Sequence, residues 1–254
     1  MIPDFESVPA TFEPHVLDDS DWSEIAWMSK VDVAIVLEVL TAKAREAKAE
    51  DRPLDVVEWG AGRSTVGLTA FVASLGVDCR WITLEYDRTY FLDEAWPMLQ
   101  ASAVGAQYTL AEVWRDGATS AAEPGIHAVV FDYGVLRPFE PEFAADRAAD
   151  LSDYVRFPTK VGRPFDVMFV EGRHRRSCLV TASTLGNPRA VTLLHDAHRA
   201  YYHCAFDGFA VQRRVGESLW VGTQWVALSE GLDYVESVTT LPKERASGTR
   251  GPHH

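Results

Sequence analysis

Glu58, Gly60, Ala61, Gly62 and Ser64 fall together in the stretch LDVVEWGAGRSTVGLTAF, residues 54–71. Two glycines one residue apart, at the end of an apolar run, let the main chain pass close to a ligand without a Cβ in the way. The strand, turn and helix start that this pattern implies is the frame that holds nucleotide-like cofactors. A dinucleotide turn reads G-x-G-x-x-G, whereas Thr65 stands here where the third glycine would be. Glu58 precedes the first glycine by two residues, close enough to repel a pyrophosphate. The same carboxylate suits a cofactor that carries an ammonium and a sulfonium. Glu85 follows Glu58 by 27 residues, at the end of a second apolar run. An acid there accepts ribose hydroxyls from either kind of cofactor. The pair points to S-adenosylmethionine. A nicotinamide-dependent oxidoreductase and a non-catalytic cofactor-binding module are the alternatives.

Two later clusters carry groups that move protons. Glu171, Arg173 and His174 follow the run FDVMFV, and His195, Asp196 and His198 follow AVTLL. Methyl transfer is an in-line displacement, so alignment of acceptor and methyl supplies most of the acceleration. An oxygen acceptor must also lose its proton, for which a placed base adds about 10²–10⁴-fold. His174 is the first choice for that base and Asp196 the second. Asp196 also reads as the N-cap of a helix over residues 198–206. Glu171, His174 and Asp196 together form a candidate site for a divalent metal. Arg173, Arg175 and Arg176 make a local basic patch, suited to a carboxylate or phosphate.

These residues need elements to position them. Val33, Val36, Leu37, Leu40 and Ala44 share one face at helical spacing, predicting a helix over 31–48 that Arg52-Pro53 stops. Strands are predicted at 54–59, 79–87 and 106–113, with a helix over 63–75 closed by Gly76 and another over 90–100 bent at Pro97. Two segments, 126–134 and 165–172, compete for the fourth strand. The second leads into a plausible crossover helix and on to a strand at 190–197, so the fourth strand is placed at 165–171. Residues 114–164 then become an insertion with its own strand and helix. Late β-rich segments should pair antiparallel at one edge. The expectation is an α/β, doubly wound, mostly parallel seven-stranded sheet, with an antiparallel edge hairpin and an insertion between strands three and four. Residues 1–30 read as an arm, 31–240 as the domain and 241–254 as a loose tail.

VVEWGAGRST followed by WITLEYD resembles the first two motifs of the class I S-adenosylmethionine-dependent methyltransferases, in particular the subgroup with E-x-G-x-G-x-S-T. FDVMFVEGRHRRSC and VTLLHDAHRAYY are similar to that subgroup's D-G-x-H and H-D motifs. The resemblance implies that Gly60, Ala61, Gly62 and Ser64 line the methionine part of the cofactor, that Glu58 sits near its amino group and that Glu85 holds the ribose. By the same resemblance Glu112 faces the adenine amine. Two departures stand out: Glu171 where aspartate is usual, and the long segment 114–164.

Bulk composition narrows the partners. With 24 basic and 37 acidic residues the formal net charge is −13, which disfavours nucleic acid and anionic membranes as partners. No run of eighteen apolar residues occurs. Cys79, Cys178 and Cys204 are scattered and odd in number, as expected for free thiols in a reducing cytoplasm. The expected acceptor is a small molecule: a sugar, a natural-product scaffold or a peptide side chain. Aromatics in the segment 114–164, among them Phe131, Phe139, Phe143, Tyr154 and Phe157, are candidates for a substrate lid. A homo-oligomer is compatible with all of this.

Overall fold

A computed structural model describes residue 26 and residues 28–102, 108–112, 123–133 and 149–224. Helix α1 (Lys30–Ala49) is capped by Ser29, whose hydroxyl accepts from the Asp32 N–H. The face read from its spacing is the buried one: Val33, Val36, Leu37, Leu40 and Ala44 all lie in the core. Strand β1 (Leu54–Trp59) then runs into helix α2 (Arg63–Ser74), and β2 (Cys79–Glu85) follows. A helical run comes next: α3 (Arg88–Tyr90), a π-helical turn (Phe91–Ala95) and α4 (Trp96–Ala101). The wider turn falls immediately before Trp96-Pro97, where an imide nitrogen cannot continue the regular ladder.

Strands β3 (Tyr108–Glu112) and β4 (Gly125–Val130) precede α5 (Ser152–Arg156) and a 3₁₀ turn (Phe157–Lys160). Then come β5 (Phe165–Val170), α6 (Arg175–Ala182), β6 (Gly186–Leu194), a 3₁₀ segment (Ala200–Gly208), β7 (Val211–Val215) and β8 (Leu219–Thr223). The sheet order is β3-β4-β2-β1-β5-β6-β8-β7. From β4 to β7 this is the expected mixed sheet, parallel except for β8, which lies antiparallel between β6 and β7.

One placement differs from expectation. Residues 125–130 do not belong to a separate insertion; they enter the main sheet as β4, parallel to β2 on one side and β3 on the other. β3 becomes an eighth strand at the outer edge. The crossover helix that follows 165–171 favours that segment as the fourth strand, but a strand's lateral neighbour is set by non-local pairing rather than by the next element along the chain. The late segment 233–241, Phe139, Phe143, Trp225 and both chain ends lie outside the described residues.

Alternation along β1 divides the core. Leu54 and Val56 face α1 and α2, whereas Val57 and Trp59 face the side covered by α5 and α6. The amino ends of the strands are tied by charge. Asp55 accepts from Arg80 and Arg163, each at 2.6 Å, and Asp166 accepts from Arg52 at 2.6 and 2.9 Å and from Asn187 at 2.8 Å. These pairs anchor the end opposite the expected site. Asp32, fully buried, joins α1 to the β7–β8 turn: its carboxylate accepts the Glu217 N–H at 2.7 Å and the Ser218 N–H at 3.0 Å. Asp32→Ala orphans both donors and is expected to cost about 2 kcal/mol, read as a lower urea midpoint with unchanged slope. An unchanged midpoint would show that the turn re-solvates freely.

Candidate functional site

β1, β2, β5 and β6 end side by side, and their register brings the predicted residues together. Val170 pairs with Leu194 across β5 and β6, so Glu171 and His195, the next residues, must be neighbours. His195 Nδ1 lies 3.2 Å from Glu171 Oε1. The segment after β5 also folds against the glycine turn. Trp59 O accepts the N–H groups of Glu171 and Gly172 at 3.0 and 2.6 Å. Gly60 has φ +103°, and a Cβ on it would sit 2.6 Å from Gly172 Cα and N. Both the backbone conformation and the close approach require glycine here. On the other side of the turn, the Gly60 N–H donates to Leu84 O at 2.8 Å, locking it to the end of β2.

Glu58 lies on the α1/α2 face of β1 and is fully buried. Its carboxylate accepts from Trp81 Nε1 at 3.1 Å and from Ser64 Oγ at 3.3 Å, the latter in the first turn of α2. It therefore sits behind the glycine turn, at the positive end of a helix. Burial first, and then the charge of Glu171, pushes its carboxyl up to about 7, against hydrogen bonds from Thr65 and Trp81. Thr65 accepts the Gly62 N–H at 2.9 Å and so fixes the far end of the turn. The residue at the missing third-glycine position thus has a structural task.

Glu85 is buried too, and its Oε1 accepts the N–H groups of Tyr86 and Asp87 at 2.8 and 2.9 Å. Burial pushes its carboxyl up to about 8, partly offset by those N–H groups and that of Ala61. Glu85 and Ala61 are thus brought together at the turn. Glu112 ends β3, across β4 from Glu85. With β4 interposed, the acid that follows the strand next to β2 is Asp132, exposed and bridged through its backbone to Asp87. The sequence carried that signal in the run IHAVVFD, an apolar strand ending in an acid.

The proton-moving candidates separate. His174 adopts a left-handed conformation at φ +53° as the N-cap of α6, and it lines a cleft of about 350 Å³ with Ser152, Arg156 and Ser177. Asp196, at φ +60°, accepts from Arg175 and Arg199, each at 3.0 Å. Burial opposes its ionisation, but the charges of Arg175, His195 and Arg199 outweigh burial and hold the carboxyl below its usual range. Asp196 is therefore a weak base and a bridging anion. It does not cap the following 3₁₀ segment, whose N-cap is Arg199.

Glu171, His174 and Asp196 are not gathered as a metal site. Among the described residues no three His, Cys, Asp or Glu side chains form a group that could hold an ion. Asp196 is instead engaged by Arg175 and Arg199, and Glu171 by His195. Also among the described residues, no helix is long and apolar enough to cross a membrane. The three cysteines are free thiols. Most of the described aromatics pack rather than line an opening: Phe206 stacks on Trp220 at 4.4 Å, and Phe131, Tyr154 and Phe157 meet edge to face in the core.

The sequence singles out Glu171 as a metal candidate; what sequence reasoning missed is the state of its Oε2. It is buried and has no hydrogen-bond partner among the described residues, although Oε1 of the same carboxylate is engaged. A buried carboxylate oxygen without a donor is costly. Here it lies next to the glycine turn, with a second carboxylate, Glu58, close enough to feel its charge.

No family model matches this sequence, and no curated protein matches it. Solved structures are similar in shape. A methyltransferase-like protein from Silicibacter pomeroyi is 18% identical over 84% of this chain and 96% of its own, with a TM-score of 0.49. Human methyltransferase-like protein 13, in complex with SAH, is 16% identical over 89% and 96%, with a TM-score of 0.45. A spermidine synthase in complex with the transition-state analogue AdoDATO is 12% identical over 85% and 73%, also at 0.45. Likeness at this level bears on neither substrate nor activity.

Proposed function

We propose that this protein is an S-adenosylmethionine-dependent methyltransferase that methylates an oxygen of a small-molecule acceptor. The observation that carries the reading is a buried carboxylate oxygen without a donor at the glycine turn, Glu171 Oε2, with the Glu58 carboxyl behind it. Such a site favours a ligand that brings positive charge and N–H donors, and it opposes a diphosphate. Glu58 works there through its field rather than by contact, since it is enclosed by Trp81 and Ser64. Glu171 is the carboxylate placed to meet an ammonium directly.

Bound at this turn, the cofactor would supply a methyl group already activated by a cationic sulfur. The protein's own groups do the rest. Glu85, held by the Tyr86 and Asp87 N–H groups, accepts ribose hydroxyls. Asp132 takes the adenine-amine role first assigned to Glu112, because β4 lies next to β2. His174, lining the adjoining cleft, receives the acceptor's hydroxyl proton. Glu171 holds the His195 ring beside the turn, a positioning contact that keeps the carboxylate oriented.

Calorimetry with S-adenosylmethionine, S-adenosylhomocysteine and NAD tests the reading. Both sulfur nucleosides are expected to bind, with Glu171→Gln weakening the amino-bearing ligands about tenfold through loss of a charged hydrogen bond. Binding of NAD alone would replace this reading with the oxidoreductase one.

A further inference from the structure

The cleft beside His174 shares a wall with a second opening. Val155, Arg156 and Ser177 line both, and the second, of about 400 Å³, adds Arg176, Val180 and Cys204. The two openings adjoin along α5 and α6, a depression in which His174 lines one part and Arg176 the other. Val180 leaves 55% of its surface exposed in this depression, so part of its wall is apolar.

Its charge runs against that of the molecule. The chain carries 13 excess negative charges, yet the groups with net charge in the depression are Arg156, Arg176 and Asp150. The neighbouring arginines are committed elsewhere: Arg175 binds Gly172 O, His195 O and Asp196, and Arg173 bonds to Tyr86. Among the described residues neither Arg156 nor Arg176 forms an ion pair. Asp150 feels the charge of Arg156, but its carboxylate is bonded to the Ser152 N–H and hydroxyl. Arg176 is fixed in place, its Cζ 4.4 Å from the centre of the Tyr201 ring, a stacking that orients a guanidinium without using its donors. Helix α6 begins here as well, with His174 as N-cap and no side chain accepting from its first turn, so the positive end of its dipole adds to the field.

We propose that Arg156 and Arg176 bind an oxyanion of the acceptor, so that the substrate is an anionic small molecule whose carboxylate or phosphate is held at one end while its hydroxyl reaches His174 at the other. This rests on the methyl-transfer reading for the word acceptor; the anion site itself does not. Two planar guanidinium forks facing one cleft match the geometry of either oxyanion. Methyl transfer requires acceptor and cofactor on the protein together, so the anion site must stay open when the cofactor is bound. In an acidic protein, a confined positive site also draws an anionic substrate selectively to the place where it reacts.

The experiment uses the full chain and two probes, inorganic phosphate and benzoate, titrated by calorimetry at low ionic strength, with chloride as the control. At least one probe is expected to bind saturably with a dissociation constant of about 1 mM. Arg156→Gln and Arg176→Gln are each expected to weaken it about tenfold by removing a charged bidentate contact. Affinity for S-adenosylmethionine should be unchanged in both variants, which also reports that they fold. Saturation with S-adenosylhomocysteine should leave probe binding intact. Binding of phosphate alone would assign a phosphate ester, and of benzoate alone a carboxylate. If neither probe saturates, if the variants bind as tightly as the parent, or if S-adenosylhomocysteine displaces the probe, the proposal is overturned. A protein that binds the probe through both arginines but no sulfur nucleoside would keep the anion site and lose the methyltransferase reading.

Discussion

Between pH 5 and pH 8 the ligand-free protein is expected to lose several kcal/mol of stability. The cause is the pair of buried acids beside the turn. Glu58 titrates at about 7 and Glu85 at about 8 in the folded chain, against an ordinary 4.5. Between those limits the folded state holds protons that the unfolded state has released, so stability falls as pH rises. The loss starts above about 4.5 and is complete just above 8, at about 1.4 kcal/mol for each pH unit that separates a carboxyl's folded and unfolded titration points. Other groups contribute to the total, so the variants isolate the cause. Glu58→Gln removes the charge but keeps an oxygen acceptor for Trp81, with its amide N–H turned to the Ser64 hydroxyl, and Glu85→Gln keeps the single oxygen that accepts from Tyr86 and Asp87. Each should flatten the pH dependence and raise the urea midpoint at pH 8. Equal slopes in the parent and both variants would show that the two carboxyls are solvated like ordinary ones.

The second large effect concerns proton transfer. With an acceptor in hand, His174→Ala is expected to lower kcat about 10²–10⁴-fold while leaving affinity for S-adenosylmethionine unchanged. The parent's rate should rise with pH through the titration of the imidazole, and the variant should lose that limb. Asp196→Asn makes a useful contrast. Its carboxylate is occupied by Arg175 and Arg199, so its loss should act through those arginines, without removing the pH limb. Retention of the limb in His174→Ala would take the proton-accepting role away from His174.

Much of the scaffold was legible because its signals are local. The apolar face of α1, the run–turn–helix around Gly60 and the acid at the end of β2 are all written within a few residues. The neighbouring of Glu171 and His195 comes from the same logic, since parallel strands in register bring the residues after them side by side. Other features were less accessible. The lateral place of β4 depends on pairing between segments more than forty residues apart. The enclosure of Glu58 reflects strand alternation, as it shares the face of Leu54 and Val56, but its partner Trp81 comes from another strand. Nothing in the spacing of Glu171 reveals that one of its oxygens is left without a donor, because that depends on the groups packed around it. The arginines divided in the same way: Arg175 and Arg176 are adjacent in sequence, yet one is spent on Asp196 and the other stacks on Tyr201.

The central claim is that the carboxylates at the glycine turn select a cationic sulfur nucleoside. A cation brought to the turn lowers the affinity of the raised Glu58 carboxyl for its proton, so its binding must release protons and strengthen with pH. The direct measurement is calorimetry of S-adenosylmethionine between pH 6 and 7.5, below the range of about 7.7–8 where the ligand's own α-amino group titrates, in buffers of different ionisation enthalpy. The account predicts net proton release and an affinity that rises across this window, with Glu58→Gln removing most of the rise. Proton uptake with an affinity that falls as pH rises, or tighter binding of NAD under the same conditions, would contradict it.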